Sequence, residues 1–133
     1  MKFSTKSEYG LRALVNLAKQ KGFYSLAQIA KEEKISLAYL ERLFAKLKKA
    51  QIVKSQKGVN GGYKLAKPLN NVSVKDIFIA LEGSLSPYNC ACLDLQSICK
   101  STKCSCNVKT VWQKLEKEIN KTLQSIKLSN LVK

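Results

Sequence analysis

The sequence predicts a mostly α fold of the α+β class, on three observations. Apolar residues recur at helical spacing through most of the chain, two short β-prone runs flank a glycine-rich turn, and a final stripe returns to helical period. A length of 133 residues suits one globular domain with a short appended element, and a hydrophobic fraction of 45% can fill a core.

The elements follow in order. Thr5 with Glu8 forms a capping-box pair that opens a helix carrying Leu11, Leu14, Leu17 and Ala18. Ser25 with Gln28 opens a short helix with Leu26, Ile29 and Ala30. A tight turn at Glu33-Lys34-Ile35 leads to Ser36, an N-cap without a reciprocal partner. Leu37, Leu40, Leu43, Phe44 and Leu47 after it predict a helix over 36–50 with those five side chains facing the core. Ile52-Val53-Lys54-Ser55 and Tyr63-Lys64-Leu65 predict a hairpin, with Asn60-Gly61 as a type I′ turn pair. Pro68 and Asn70-Asn71 break the chain. Ser73 with Asp76 then caps a helix with Val74, Ile77, Phe78 and Leu81, ending at Gly83. Residues 84–106 show little periodicity and hold every cysteine. Val108, Val111, Trp112, Leu115, Ile119, Leu123 and Ile126 mark a long last helix, whose stripe a small chain would struggle to bury alone. A monomeric alternative folds that helix back on the first one.

Charge narrows the function. The net charge is +15, and such an excess repels itself unless an anionic partner offsets it. Residues 1–83 carry 16 Lys+Arg and 6 Asp+Glu, and residues 84–133 carry 8 and 3. From Arg42 through Lys75 there is no acidic residue, a one-sign stretch that favours phosphate binding over a merely solvated basic face. Helix, tight turn, helix and basic hairpin together predict a winged helix-turn-helix, and the apolar stripe on residues 108–126 suits a long C-terminal dimerisation helix. In that arrangement the second helix enters the major groove by its N-terminal end. The expected contacts to double-stranded DNA are Ser36, Ala38, Tyr39, Glu41, Arg42 and Lys46 on the helix, and Lys57, Val59, Asn60 and Lys64 on the wing, with Lys54 also free to meet phosphate. Arg42 suits a guanine edge and Glu41 a cytosine amine. Two rivals come from other classes: a basic RNA-binding module, and a thiol enzyme such as a redox catalyst, which the sequence gives neither a βαβ context nor a His to activate a thiolate.

Five Cys and no His exclude most triad and general-base chemistry, so no enzyme is expected. An apolar run of the ~20 residues that a membrane span needs is missing, as is the apolar stretch of a secretory signal at the start of the chain. The expected compartment is the cytoplasm, where structural disulfides are disfavoured. The cysteines stand at 90, 92, 99, 104 and 106, two C-x-C pairs flanking Cys99. Thiolates this dense suit an iron–sulfur cluster, zinc or a redox switch, and the spacing leaves these open.

Three segments and three shorter features carry a resemblance. Lys6-Ser7-Glu8-Tyr9-Gly10-Leu11-Arg12-Ala13-Leu14, Ile35-Ser36-Leu37-Ala38-Tyr39-Leu40-Glu41-Arg42-Leu43 and Gly58-Val59-Asn60-Gly61-Gly62-Tyr63-Lys64-Leu65, extended by Leu81-Glu82-Gly83, the Cys loop and Val111-Trp112, resemble the Rrf-two family of bacterial winged-helix regulators. Its members include an iron–sulfur cluster regulator, a nitric-oxide-sensing repressor and a cysteine-metabolism repressor. The resemblance implies a homodimer on a near-palindromic operator, and in many members a 2Fe–2S or 4Fe–4S cluster held by three loop cysteines and a further ligand. Carried across, these are Cys90, Cys99 and Cys106, with Cys92 and Cys104 as substitutes. The iron–sulfur cluster regulator has a ligating His three residues after its third Cys, where Lys109 stands here. Relatives with an acidic ligand take it from the start of the first helix, which points to Glu8, whose other role is the expected capping box. The implied organisation is a DNA-binding domain at 1–83, a Cys-rich sensor loop at 84–106, and a dimerisation helix with tail at 107–133. A cluster-free regulator of cysteine metabolism, or a thiol-redox sensor, is the alternative within the family.

Overall fold

The computed structural model describes residues 3–85 and 109–132. Val108 and all five cysteines lie outside the described residues. The order is α1 (Thr5–Ala18), α2 (Leu26–Glu33), α3 (Leu37–Lys49), β1 (Val53–Gln56), β2 (Gly62–Leu65), a 3₁₀ turn (Leu69–Asn71), α4 (Val74–Glu82), α5 (Lys109–Ser125) and α6 (Leu128–Leu131).

The first helix buries Ser7, Gly10, Ala13, Leu14 and Leu17, one stripe at spacings of three and four. Gly10 is where α4 crosses it, since a Cβ there would overlap the Leu81 side chain. The cap differs from expectation. Ser4, not Thr5, is the N-cap and accepts from the Lys6 amide at 3.2 Å. Thr5 Oγ1 instead shares a 3.0 Å hydrogen bond with the Tyr39 hydroxyl. Glu8 therefore closes no capping box and is exposed on the first turns of α1.

In α2, Ser25 occupies the N-cap position as expected, but its side chain makes no capping bond. Gln28 turns along the helix instead and donates to Glu32 at 3.0 Å. The first two helices are joined by polar contacts. Arg12 donates to the Glu33 carbonyl at 3.0 Å and pairs with its carboxylate at 3.2 Å, and Asn16 donates to both Glu32 and Glu33. Hydrogen bonds from Tyr24, Asn16 and Gln28 hold the Glu32 carboxyl below the usual carboxylate range. Lys34 ends α2 in the left-handed region (φ 57°, ψ 46°), which turns the chain sharply into α3.

The strands pair antiparallel in the register Val53↔Leu65, Lys54↔Lys64, Ser55↔Tyr63 and Gln56↔Gly62. The hairpin turn is not the expected type I′ pair. Gly61 N donates to Gly58 O at 3.0 Å, so Val59 and Asn60 are the central residues, and neither Asn60 nor Gly61 has the positive φ that type I′ needs. The cause lies next door. Gly62 takes φ 141° because β2 runs against Tyr24, whose carbonyl a Cβ at that position would overlap. Tyr24 and Tyr63 exchange two 2.8 Å backbone bonds, a bridge that extends the hairpin towards α2.

Ser73 and Asp76 form the full capping box of α4, at 3.1 and 3.2 Å, and Gly83 ends it with φ 87°. The long helix α5 packs on α4. It stops at Ser125, one residue short of the predicted stripe. Ile126 is drawn out of the helix because its carbonyl accepts from Val74 N at 2.9 Å, while Leu128 N donates to Val72 O at 2.8 Å. The tail thus returns to the body, and Leu128 is 0% exposed in the same core as Leu14, Ile29, Leu40, Phe44 and Ile77.

Candidate nucleic-acid interface

The α3 helix presents a buried face and three outward ones. Leu40, Leu43, Phe44 and Leu47 are buried. On the opposite side Ala38, Arg42, Ala45 and Lys49, spaced by four, three and four residues, form one exposed ridge. Ala45 and Lys49 were not among the expected contacts, although the helical period that carries Arg42 carries them too. Leu37 departs from expectation. It is 40% exposed and stands outside the core, beside Glu41.

Leu37 and Glu41 flank the ridge on the wing side. With Ser25, Leu26, Ala27, Gly58, Gly61, Gly62 and Tyr63 they line an open groove of about 520 Å³. Tyr39 and Lys46 flank it on the other side. Besides its bond to Thr5, Tyr39 meets the Tyr9 ring edge-on at 6.1 Å. Lys46 Nζ donates to the Leu81 carbonyl at 3.5 Å, placing its charge at the C-terminal end of α4, where the helix dipole favours a cation. Ser36 caps α3 by accepting from Tyr39 N at 3.5 Å. The expected helix contacts therefore divide: Ala38 and Arg42 on the outer ridge, Glu41 towards the wing, Tyr39 and Lys46 towards the α1–α4 junction.

The wing is locked to this helix. The Phe44 and Tyr63 rings meet edge to face at 5.2 Å, which ties the core side of α3 to β2. Lys54, Lys57, Val59, Asn60 and Lys64 are all exposed. Lys54 and Lys64 stand directly opposite each other across the ladder, and Lys64 Nζ also lies 5.6 Å from the Phe23 ring centre. Two facing cations destabilise a bare hairpin and suit one that meets phosphate.

A second cluster lies at the root of the cysteine segment. Glu82, the last residue of α4, accepts from Ser4 N at 3.2 Å, from Ser4 Oγ, and from the buried Ser7 Oγ at 2.8 Å. Burial pushes its carboxyl up, and the hydrogen bonds from Ser4 and Ser7 outweigh that, so it lies below the usual carboxylate range. Glu8 follows Ser7 directly, which puts it on the turn of α1 nearest the point where the cysteine segment leaves α4. Cys90, Cys92, Cys99, Cys104 and Cys106 themselves lie outside the described residues.

A winged helix with a charged hairpin is shared by many regulators, so sequence similarity decides the family. The Rrf2 family model, described as an iron-dependent transcriptional regulator, matches residues 3–133. The chain belongs to the Rrf2 family. The HTH-type transcriptional regulator IscR of Cereibacter sphaeroides is 36% identical over 137 residues, covering 100% of this chain and 88% of that protein. CymR, the global cysteine regulator of B. subtilis, superposes with a TM-score of 0.78 at 32% identity, over 98% of this chain and 95% of CymR. IscR of T. potens superposes with a TM-score of 0.75 at 38% identity, over 98% and 85%. The expected winged-helix fold, with its C-terminal helix, is the fold of these Rrf2 regulators, and the protein is a DNA-binding transcriptional regulator of that family. No helix among the described residues is long and apolar enough to cross a membrane.

Proposed function

We propose that a homodimer of this chain reads a near-palindromic duplex operator. In this reading α3 lies in the major groove and the wing grips backbone or minor groove. The observation that carries it is the packing of the Arg42-bearing helix against the basic wing through Phe44 and Tyr63. Ser36, Ala38, Glu41 and Arg42 stand nearest the base edges, Lys57, Val59, Asn60 and Lys64 meet the duplex from the wing, and Tyr39 and Lys46 contact it from the far flank. Dimerisation is supported by α5, which leaves Val111, Trp112 and Leu115 exposed along one side. The test is competition. A regulator prefers one operator over bulk DNA by at least ~10³, whereas equal binding to unrelated duplexes and RNA would mark a basic RNA-binding module.

The sensor is assigned to residues 84–106. The donor set fits an iron–sulfur cluster, since five soft thiols fall between positions 90 and 106. Cys90, Cys99 and Cys106 would hold it, with Cys92 and Cys104 as substitutes and Glu8 as the further ligand. Such a group would supply sensitivity to oxidants and nitric oxide. Anaerobic purification with iron and sulfide analysis and visible absorption tests this, and a colourless protein that cannot be reconstituted overturns it. A second reading, a cluster-free regulator of cysteine metabolism or a thiol-redox sensor, is favoured by the absence of any His for the fourth ligand. It predicts iron-free protein whose DNA binding changes when disulfides form among the five cysteines.

A further inference from the structure

Helical period puts Leu37 in the buried stripe of α3, yet it is 40% exposed while Leu40, Leu43, Phe44 and Leu47 are each at most 1% exposed. It occupies the first turn of α3, directly after the cap Ser36, which is the end of a recognition helix that approaches base edges. Its groove is walled by Glu41, by Ala27 beside the buried Leu26, and by Gly58 and Gly61 beside Tyr63, and it is open enough that the leucine can be reached from outside.

A large apolar side chain at this end of the helix can gain by packing on an apolar group of the ligand. Phosphates offer no apolar surface and sugars offer the same surface at every position, whereas the floor of the major groove offers the C5 methyl of thymine. Glu41 in the same groove repels phosphate, so the groove suits the base floor better than the strand backbone. Resting on the DNA-reading role proposed above, we infer that Leu37 is a specificity-determining residue that packs on the C5 methyl of one thymine in each half-site.

The test uses the full chain. Selection from a random duplex library yields its preferred site, and each thymine of that site is then replaced singly by deoxyuridine, which keeps base pairing and removes the methyl. The unaltered protein loses about three- to fivefold in affinity at one thymine per half-site, the effect of one buried methyl group. Leu37→Ala binds the thymine site more weakly and shows no further loss at that uracil, and Leu37→Val shows an intermediate penalty. A uracil scan without effect, or a full uracil penalty retained in both variants, overturns the inference. A selection that enriches no duplex overturns the DNA-reading proposal itself. Both variants alter an exposed position, and their thermal melts check that the fold is kept.

Discussion

The Ser7 hydroxyl donates to the Glu82 carboxylate at 2.8 Å, tying the buried face of α1 to the last residue of α4. Ser4 adds a backbone bond to the same oxygen. The carboxylate thereby also sits at the N-terminal end of α1, where the helix dipole favours a negative charge. This clasp stands where the cysteine segment begins, and Thr5 and Tyr39 continue it to α3.

Glu82 makes stability depend on pH. Its carboxyl lies below the ordinary value of 4.5. A depressed carboxylate contributes fully above its unfolded pKa, and that contribution is lost as pH falls through the folded one. Glu82→Gln is expected to lower stability by about 1 kcal/mol at pH 7. Denaturation across pH should show the gap between variant and parent closing below pH 4.5. A gap of constant size would contradict the role given to the charge.

Gly62→Ala sets a Cβ against the Tyr24 carbonyl at a backbone φ of 141°. The expected loss is about 1–3 kcal/mol, from strain and a displaced strand. Operator binding should weaken more than for Gln124→Ala, an exposed polar position of α5 away from Val111, Trp112 and Leu115. Paired thermal melts and binding curves measure both.

Arg42→Ala removes the one guanidinium on the outer ridge of α3. Specific binding should weaken by about 1–3 kcal/mol, with relaxed preference at one base pair. An equal loss on every duplex would reassign Arg42 to a phosphate.

Leu128→Ala opens a cavity in the main core, although the residue lies five positions from the end of the sequence given. The expected cost is about 2–5 kcal/mol. Chemical denaturation measures it, and a loss near zero would show that the tail packs weakly.

What the sequence revealed depended on how local each decision was. The Ser73–Asp76 box and the Ser36 cap involve neighbours three residues apart, and both form as expected. The Ser4–Thr5 choice is settled by Glu82 and Tyr39, 78 and 34 residues away. Asn60-Gly61 is a strong turn pair in isolation, but the bridge to Tyr24 fixes the strands in a register that moves the turn onto Val59 and Asn60. Leu37 follows the apolar period and Lys46 the charge pattern. Which way each points depends on where the wing and α4 lie, and period alone carries no such information. The return of Leu128 to the core is likewise a tertiary decision, taken by two backbone bonds to Val72 and Val74.

The facing of Lys54 and Lys64 has one further consequence. Like charges on facing strand residues repel, most strongly at low ionic strength, and a polyanion laid along the ribbon relieves that repulsion. The wing should accordingly fray first at low ionic strength and grow quiet on a duplex. Its ordering and its grip would then be a single event, observable as slowed amide exchange between residues 53 and 65.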